Sequence, residues 1–150
     1  MTGLVLKLGP RERVLINGAV VENGDRRARL AIVTPNAHIL RLRDAIHPGE
    51  VTTPVRRVCY IVQLVLSGDV TPDEAQRQLL RGIEQLSQVL TDADSRAQLG
   101  LATQAVLEGA HYQALKALRA LLPREERLLA SAQLPPAASA PPPPGTAVQP

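Results

Sequence analysis

Asn17-Gly18-Ala19-Val20-Val21-Glu22-Asn23-Gly24-Asp25-Arg26-Arg27 sets an Asn-Gly turn signal on either side of an apolar pulse and then runs into an arginine cluster. Asn and Gly tolerate the positive φ of type I′ hairpin turns, so each pair can reverse the chain between flanking strands. The stretch reads as a tight antiparallel β-meander that displays positive charge. On its amino-terminal side, Leu4-Val5-Leu6-Lys7-Leu8 puts three leucines on one strand face before Gly9-Pro10, and a second strand over Glu12 to Ile16 leads into the first turn. On its carboxyl-terminal side, Ala28, Leu30 and Ile32 alternate with Arg27, Arg29 and Ala31. After Thr34-Pro35-Asn36, His38, Leu40 and Leu42 alternate with Ile39, Arg41 and Arg43. These alternations predict one small antiparallel sheet with an apolar face, in a β-rich module over residues 1–52.

The remainder changes period. Asp44 to Thr53 reads as a loop, and Thr53-Pro54 offers an N-cap followed by proline at the first helical position. The run Val55 to Leu66 is apolar nearly all round and predicts a buried central helix, its β-branched residues leaving a strand open as the alternative. Thr71-Pro72-Asp73-Glu74 is a capping box for a helix with Leu79, Ile83, Leu86 and Leu90 on one stripe. A further helix is predicted from Asp94 to Glu108, ended by Gly109, and another from His111 to Leu122, ended at Pro123. Arg124 to Ala130 is expected to add one more short turn. Such brief connections imply an antiparallel bundle over residues 53–131. Residues 132–150 hold a four-proline run and no apolar period, the composition of a disordered or polyproline-like tail. The fold class is therefore α+β.

With 45% hydrophobic residues but only Tyr60 and Tyr112 as aromatics, the core must be aliphatic. The lone Cys59 sits in an apolar run and fits a small buried hydrophobe in a reducing cytoplasm. The longest near-apolar run, Val58 to Leu66, is far shorter than the roughly 20 residues of a membrane helix, so a cytoplasmic location is expected. Charge is uneven: residues 1–57 carry ten Lys/Arg against five Asp/Glu, and residues 58–150 seven against nine, within a net +3. Fifteen of the cations are arginine, whose planar fork suits phosphate and carboxylate, although a GC-rich genome gives the same bias.

No catalytic or metal constellation stands out. His38, His47 and His111 are widely spaced, Cys59 has no Cys partner, and no Gly-Lys-Ser/Thr follows the glycines. His38 reads as a strand-face packing residue. The better candidate is the basic face. Arg27/Arg29 and Arg41/Arg43, paired in register, would project from one sheet face beside Arg26, with Lys7 or Arg11/Arg13 extending it. The bland alternative is a solvated sheet face. Arg56 and Arg57 fall in a helix's first turn, against the macrodipole, and either pair with acids such as Glu50 or Asp44 or meet an anionic partner. The leucine stripes read as core, though an exposed leucine such as Leu118 would offer a protein-docking surface.

Three separated segments resemble one family. They are Asn17 to Arg27, Thr53-Pro54-Val55-Arg56-Arg57, and Gly109-Ala110-His111-Tyr112-Gln113-Ala114-Leu115-Lys116, which is similar to a Gly-x-Tyr-Tyr-x-Ala-Leu pattern with His111 in place of the first tyrosine. Their order and spacing resemble the FlbT flagellar biosynthesis repressors over roughly residues 3–122. The resemblance implies a non-enzymatic post-transcriptional regulator that needs no cofactor. It would act on the 5′ leader of flagellin mRNA and promote its decay, commonly beside the small partner FlaF. Arg26, Arg27, Arg29, Arg41 and Arg43 would then hold the RNA backbone, Asn23 and the turn tips would touch loop bases, and Lys7, Arg56 and Arg57 would be auxiliary. The competing expectation is a protein-interaction module that binds FlaF or flagellin and touches mRNA only indirectly.

Overall fold

The computed structural model describes residues 4–133. The expected proline-rich tail lies outside the described residues. Five strands come first, β1 (Leu4–Leu8), β2 (Arg13–Ile16), β3 (Ala19–Glu22), β4 (Ala28–Ile32) and β5 (Ile39–Arg41). Two short 3-10 turns, Leu42–Asp44 and Pro48–Glu50, lead to helices α1 (Pro54–Leu66), α2 (Pro72–Ser87), α3 (Ala93–Leu107), α4 (His111–Arg119) and α5 (Leu122–Gln133). The class is α+β, as the periodicities imply.

Strand order departs from a simple meander. The strands form two small antiparallel sheets, β1 with β4 and β3-β2-β5. Asn17 and Gly18 take φ of 48° and 89°, the left-handed pair a two-residue type I′ hairpin requires, and Ile16 pairs with Ala19 across it. Asn23-Gly24 does not form the second hairpin. The N–H of Asn23 donates to the Glu12 carbonyl and Arg11 N–H to the Gly24 carbonyl, so the β2–β3 pairing continues past the end of β3. The chain then crosses to β1, with Leu4 opposite Ile32 and Leu8 opposite Ala28.

Two cores result. Leu6, Leu8, Val14 and Ile39 fill the space between the sheets. Leu40 belongs instead to the larger helical core with Val55, Val62, Leu79, Leu99 and Leu118. Helices α1 to α4 close a ring in which each packs on the next and α4 returns to α1, while α5 leans on α1. Leu118 is fully buried, so it is core and not the exposed docking leucine considered above.

The helix signals hold with one change. Thr53 caps α1 and the Thr71/Glu74 capping box opens α2, as read. Pro123, however, sits in the first turn of a twelve-residue helix α5 instead of merely ending α4. That helix delivers Glu125, which accepts from the Val55 N–H (2.9 Å) and the Thr53 hydroxyl at the start of α1. A carboxylate there favours the helix dipole and offsets the nearby Arg56 and Arg57. Within α1 the single polar break, Gln63, exchanges two hydrogen bonds with the backbone of Ile46 (2.7 and 3.0 Å), fixing the incoming loop.

The α1–α2 crossing is close. A Cβ at Gly82 would stand 2.8 Å from Cγ2 of Val58. Gly82→Ala gains about 1 kcal/mol of helix propensity, but the clash costs about 1–3 kcal/mol. The expected result in a urea-unfolding double-mutant cycle is net destabilisation in the native background. In a Val58→Ala background the same substitution should become neutral or stabilising.

Candidate nucleic-acid interface

Lys7 and Arg29 lie directly opposite each other across β1 and β4. Like charges in that position repel, so nothing in the ladder's own stability favours them. With Arg27, just before β4, and Arg43, just after β5, they line a cleft of about 560 Å³ whose remaining wall is Leu8, Gly9, Pro10 and Ala28. Among the described residues no carboxylate stands within 4.0 Å of Lys7, Arg27 or Arg29. Arg43 is 3.6 Å from Glu12 and 4.0 Å from Asp44, yet its side chain remains 62% exposed. The cleft presents unneutralised charge on a two-stranded frame, an arrangement that attracts phosphate.

The other candidate residues go elsewhere. Arg29 and Arg41 are in different sheets, so the expected in-register arginine pairs do not form. Arg41 is largely enclosed, its guanidinium donating to Glu12 through Nε (2.7 Å) and Nη2 (2.8 Å) and to the Lys7 carbonyl. Asn23 does not read outward at a turn tip, because its amide donates to the carbonyls of Gly9 (2.7 Å) and Arg26 (2.8 Å). Asn17 accepts from the His38 N–H in the same manner. Arg26 is exposed beside the cleft without lining it. Arg56 reaches only the Glu50 backbone carbonyl, at 3.5 Å, and Arg57 lines a separate groove against α2 with Arg81.

The sequence reading missed Glu12 as a site residue and gave Asp44 another partner, Arg56 or Arg57. Glu12 gathers Arg41, Arg43 and the Gly9 N–H (2.9 Å). Asp44 receives Arg119 from α4 at 3.4 Å. The arginines that meet them, Arg41 and Arg119, lie 29 and 75 positions away in sequence. His38 and His111, 73 positions apart in sequence, meet edge-on with ring centroids 6.0 Å apart. His111 is held below its usual pKa by burial, opposed by the Gly109 carbonyl and reinforced by His38, so it packs as a neutral ring. Cys59 is buried and its thiol is pushed up to about 12, mainly by desolvation, which leaves it unreactive. No group of three His, Cys, Asp or Glu able to hold a metal occurs among the described residues, and no helix among them is long and apolar enough to cross a membrane.

Residues 4–129 match the family described as flagellar protein FlbT. The chain belongs to the FlbT family. A probable flagellum biosynthesis repressor protein FlbT of Caulobacter sp. (strain K31) is 30% identical over 126 residues, covering 84% of this chain and 95% of that protein. One from Mesorhizobium japonicum is 32% identical, covering 84% of each chain. A Bradyrhizobium diazoefficiens relative, probable flagellum biosynthesis repressor protein FlbT 1, is 35% identical over 83% of this chain and 84% of its own. No solved structure matches. The FlbT match takes in both sheets and the helical ring, cleft included, and ends inside α5.

Glu12 is the anchor of the cleft in this FlbT chain. The hydrogen bond from Arg41, chiefly, holds its carboxyl down at about 2 against an ordinary 4.5, over the opposing effect of burial. A depressed carboxyl stabilises the fold above its unfolded pKa, and that stability is lost as pH falls through the folded value. Glu12→Gln is therefore expected to cost about 2 kcal/mol at pH 7, allowing for solvent screening near the surface. The deficit should shrink between pH 4.5 and about 2, as measured by urea unfolding of both proteins across that range.

Proposed function

We propose that this FlbT chain represses flagellum biosynthesis after transcription, by holding the 5′ leader of a flagellin mRNA in the cationic cleft and promoting its decay. The supporting observation is the convergence of Lys7, Arg27, Arg29 and Arg43 on one cleft, three of them without a carboxylate partner. The relatives' names as flagellum biosynthesis repressors supply the biological setting. With so few aromatics, recognition falls to arginine planes and backbone phosphate contacts in place of base stacking on aromatic rings. The pairing of Arg41 with Glu12 assigns it to positioning: it ties the Gly9 turn and the Lys7 backbone together under the cleft. Arg26 extends the positive field toward a longer strand. The helical ring is left for a FlaF-type partner or flagellin, whose engagement would couple RNA binding to the state of assembly.

The test is titration of the purified chain with a flagellin leader and with a shuffled RNA of equal length across salt. The expected result is preferential leader binding. Arg27→Glu with Arg29→Glu should weaken it and reduce the slope of log affinity against log salt by roughly 1.4, about 0.7 for each lost single-strand phosphate contact. Arg56→Glu with Arg57→Glu, outside the cleft, should leave binding nearly intact. Equal loss in both pairs of variants would mean that only diffuse positive charge is sensed. Undiminished binding by the folded Arg27/Arg29 variant would remove the cleft from the mechanism.

A further inference from the structure

We propose that the outer groove between helices α1 and α2 docks an acidic amphipathic helix of a protein partner, its apolar face on the groove floor and its carboxylates on Arg57 and Arg81. The groove holds about 380 Å³, within the roughly 300–1,000 Å³ of clefts that take ligands. Val58 and Leu86 form a buried floor, Ile61 is half-buried, and Val89, just past α2, is 63% exposed. On α1 the lining recurs as Arg57, Val58 and Ile61, and along α2 as Gly82, Leu86 and Val89, the three- and four-residue spacing of one helical face on each side. Two such stripes side by side make the seat into which a third helix lays its apolar face.

Charge selects the occupant. Arg57 and Arg81 stand on opposite walls, and no Asp or Glu lines the groove. Among the described residues, neither arginine has a carboxylate within 4.0 Å. The groove between α2 and α3 instead sets Glu84 against Arg96. The apolar groove of about 810 Å³ between the β4–β5 connection and helices α3 and α4 sets Glu108 against Lys116. Of the three, only the α1–α2 groove carries net charge, two cations over an aliphatic floor. Asp or Glu flanking an apolar stripe matches that surface, since each guanidinium fork takes a carboxylate bidentately while its stem covers apolar wall.

The position of Arg57 points the same way. It falls in the first turn of α1, where a cation opposes the helix dipole, and the nearby acids are engaged elsewhere. Asp44 meets Arg119 and Arg43, Glu125 takes the Val55 N–H, and Glu50 accepts from the His47 N–H. A partner's carboxylate on Arg57 would neutralise it and favour the same helix terminus. A nucleic acid is a poorer occupant, because an aliphatic floor has no ring for a base to stack on and strips water from a phosphate without replacing it. A second copy seated groove on groove would set like charges against each other. The linings of this groove and of the cationic cleft share no residue, so each can be tested apart from the other.

The experiment titrates the full-length chain into two fluorescent helix-forming peptides of about 15 residues that share one leucine stripe, flanked by glutamate in the first and by lysine in the second. Anisotropy is expected to show saturable binding of the glutamate peptide, about tenfold or more tighter than the lysine peptide and weakening as salt rises. Arg57→Glu and Arg81→Glu, both at exposed sites, should each weaken the glutamate peptide about tenfold and strengthen the lysine peptide. Val89→Asp should weaken the glutamate peptide as well. Arg27→Glu with Arg29→Glu should leave peptide binding unchanged, and a flagellin leader should not displace the peptide. No saturable binding up to about 1 mM peptide, equal affinity for the two peptides, or undiminished binding by the folded Arg57 and Arg81 variants would overturn the proposal. So would displacement by leader RNA that Arg81→Glu abolishes, which would make the groove an RNA surface. Self-association of the native chain that Arg57→Glu and Arg81→Glu remove would overturn it too, by making a second copy the occupant.

Discussion

Strand β5 has three residues, and both of its faces are buried. Ile39 enters the core between the two sheets and Leu40 enters the helical core. Because side chains alternate along a strand, Arg41 must share the face of Ile39 and so point toward β1 and β4. An arginine in that position loses water and has to be met by a carboxylate and by backbone acceptors. Glu12 and the Lys7 carbonyl meet that requirement. The Glu12–Arg41 pair is therefore a consequence of a strand wedged between two cores. With the Lys7 carbonyl it links the end of β1, the residue before β2, and β5.

The positive cleft depends on that pairing. Glu12 lies under the cleft beside Arg43, at 3.6 Å, and Arg41 holds it in place. Asn23 completes the frame by bonding the Gly9 and Arg26 carbonyls, which sets the Arg26-Arg27 run beside the end of β1. A comparable division occurs at α1, where Glu125 takes the buried start of the helix and leaves Arg57 exposed. In both places a buried carboxylate stabilises the scaffold and leaves exposed arginines without a structural partner.

What was legible in the sequence was local. Period-two alternation located all five strands within a residue or two, and Thr53, Thr71 and Gly109 marked helix boundaries because capping chemistry operates within four residues. Strand order was not legible. The β1–β4 ladder joins residues about 20 to 28 positions apart with no local signal for the pairing. Asn23-Gly24 looks like Asn17-Gly18, and both asparagine side chains bond backbone, yet only Asn17 takes the left-handed conformation that turns the hairpin. Pro123 is equally compatible with ending one helix and opening another. The cationic cleft was legible in composition only. Lys7, Arg27, Arg29 and Arg43 were all candidates, but their separation from Arg41, Arg56 and Arg57 follows from the two-sheet topology.

The same ladder places the two surface features at opposite ends. Leu4 and Ile32, paired at one end, line the apolar groove; Leu8 and Ala28, paired at the other, line the cationic cleft. Four strand intervals separate them, about 14 Å. One end carries four cations and the other a single balanced pair, Glu108 and Lys116, so each end discriminates by the term the other lacks. An anion gains nothing from the groove, and an uncharged chain gains nothing from the cleft. Because β1 and β4 pair residue for residue over their full lengths, one ladder fixes the position of both features.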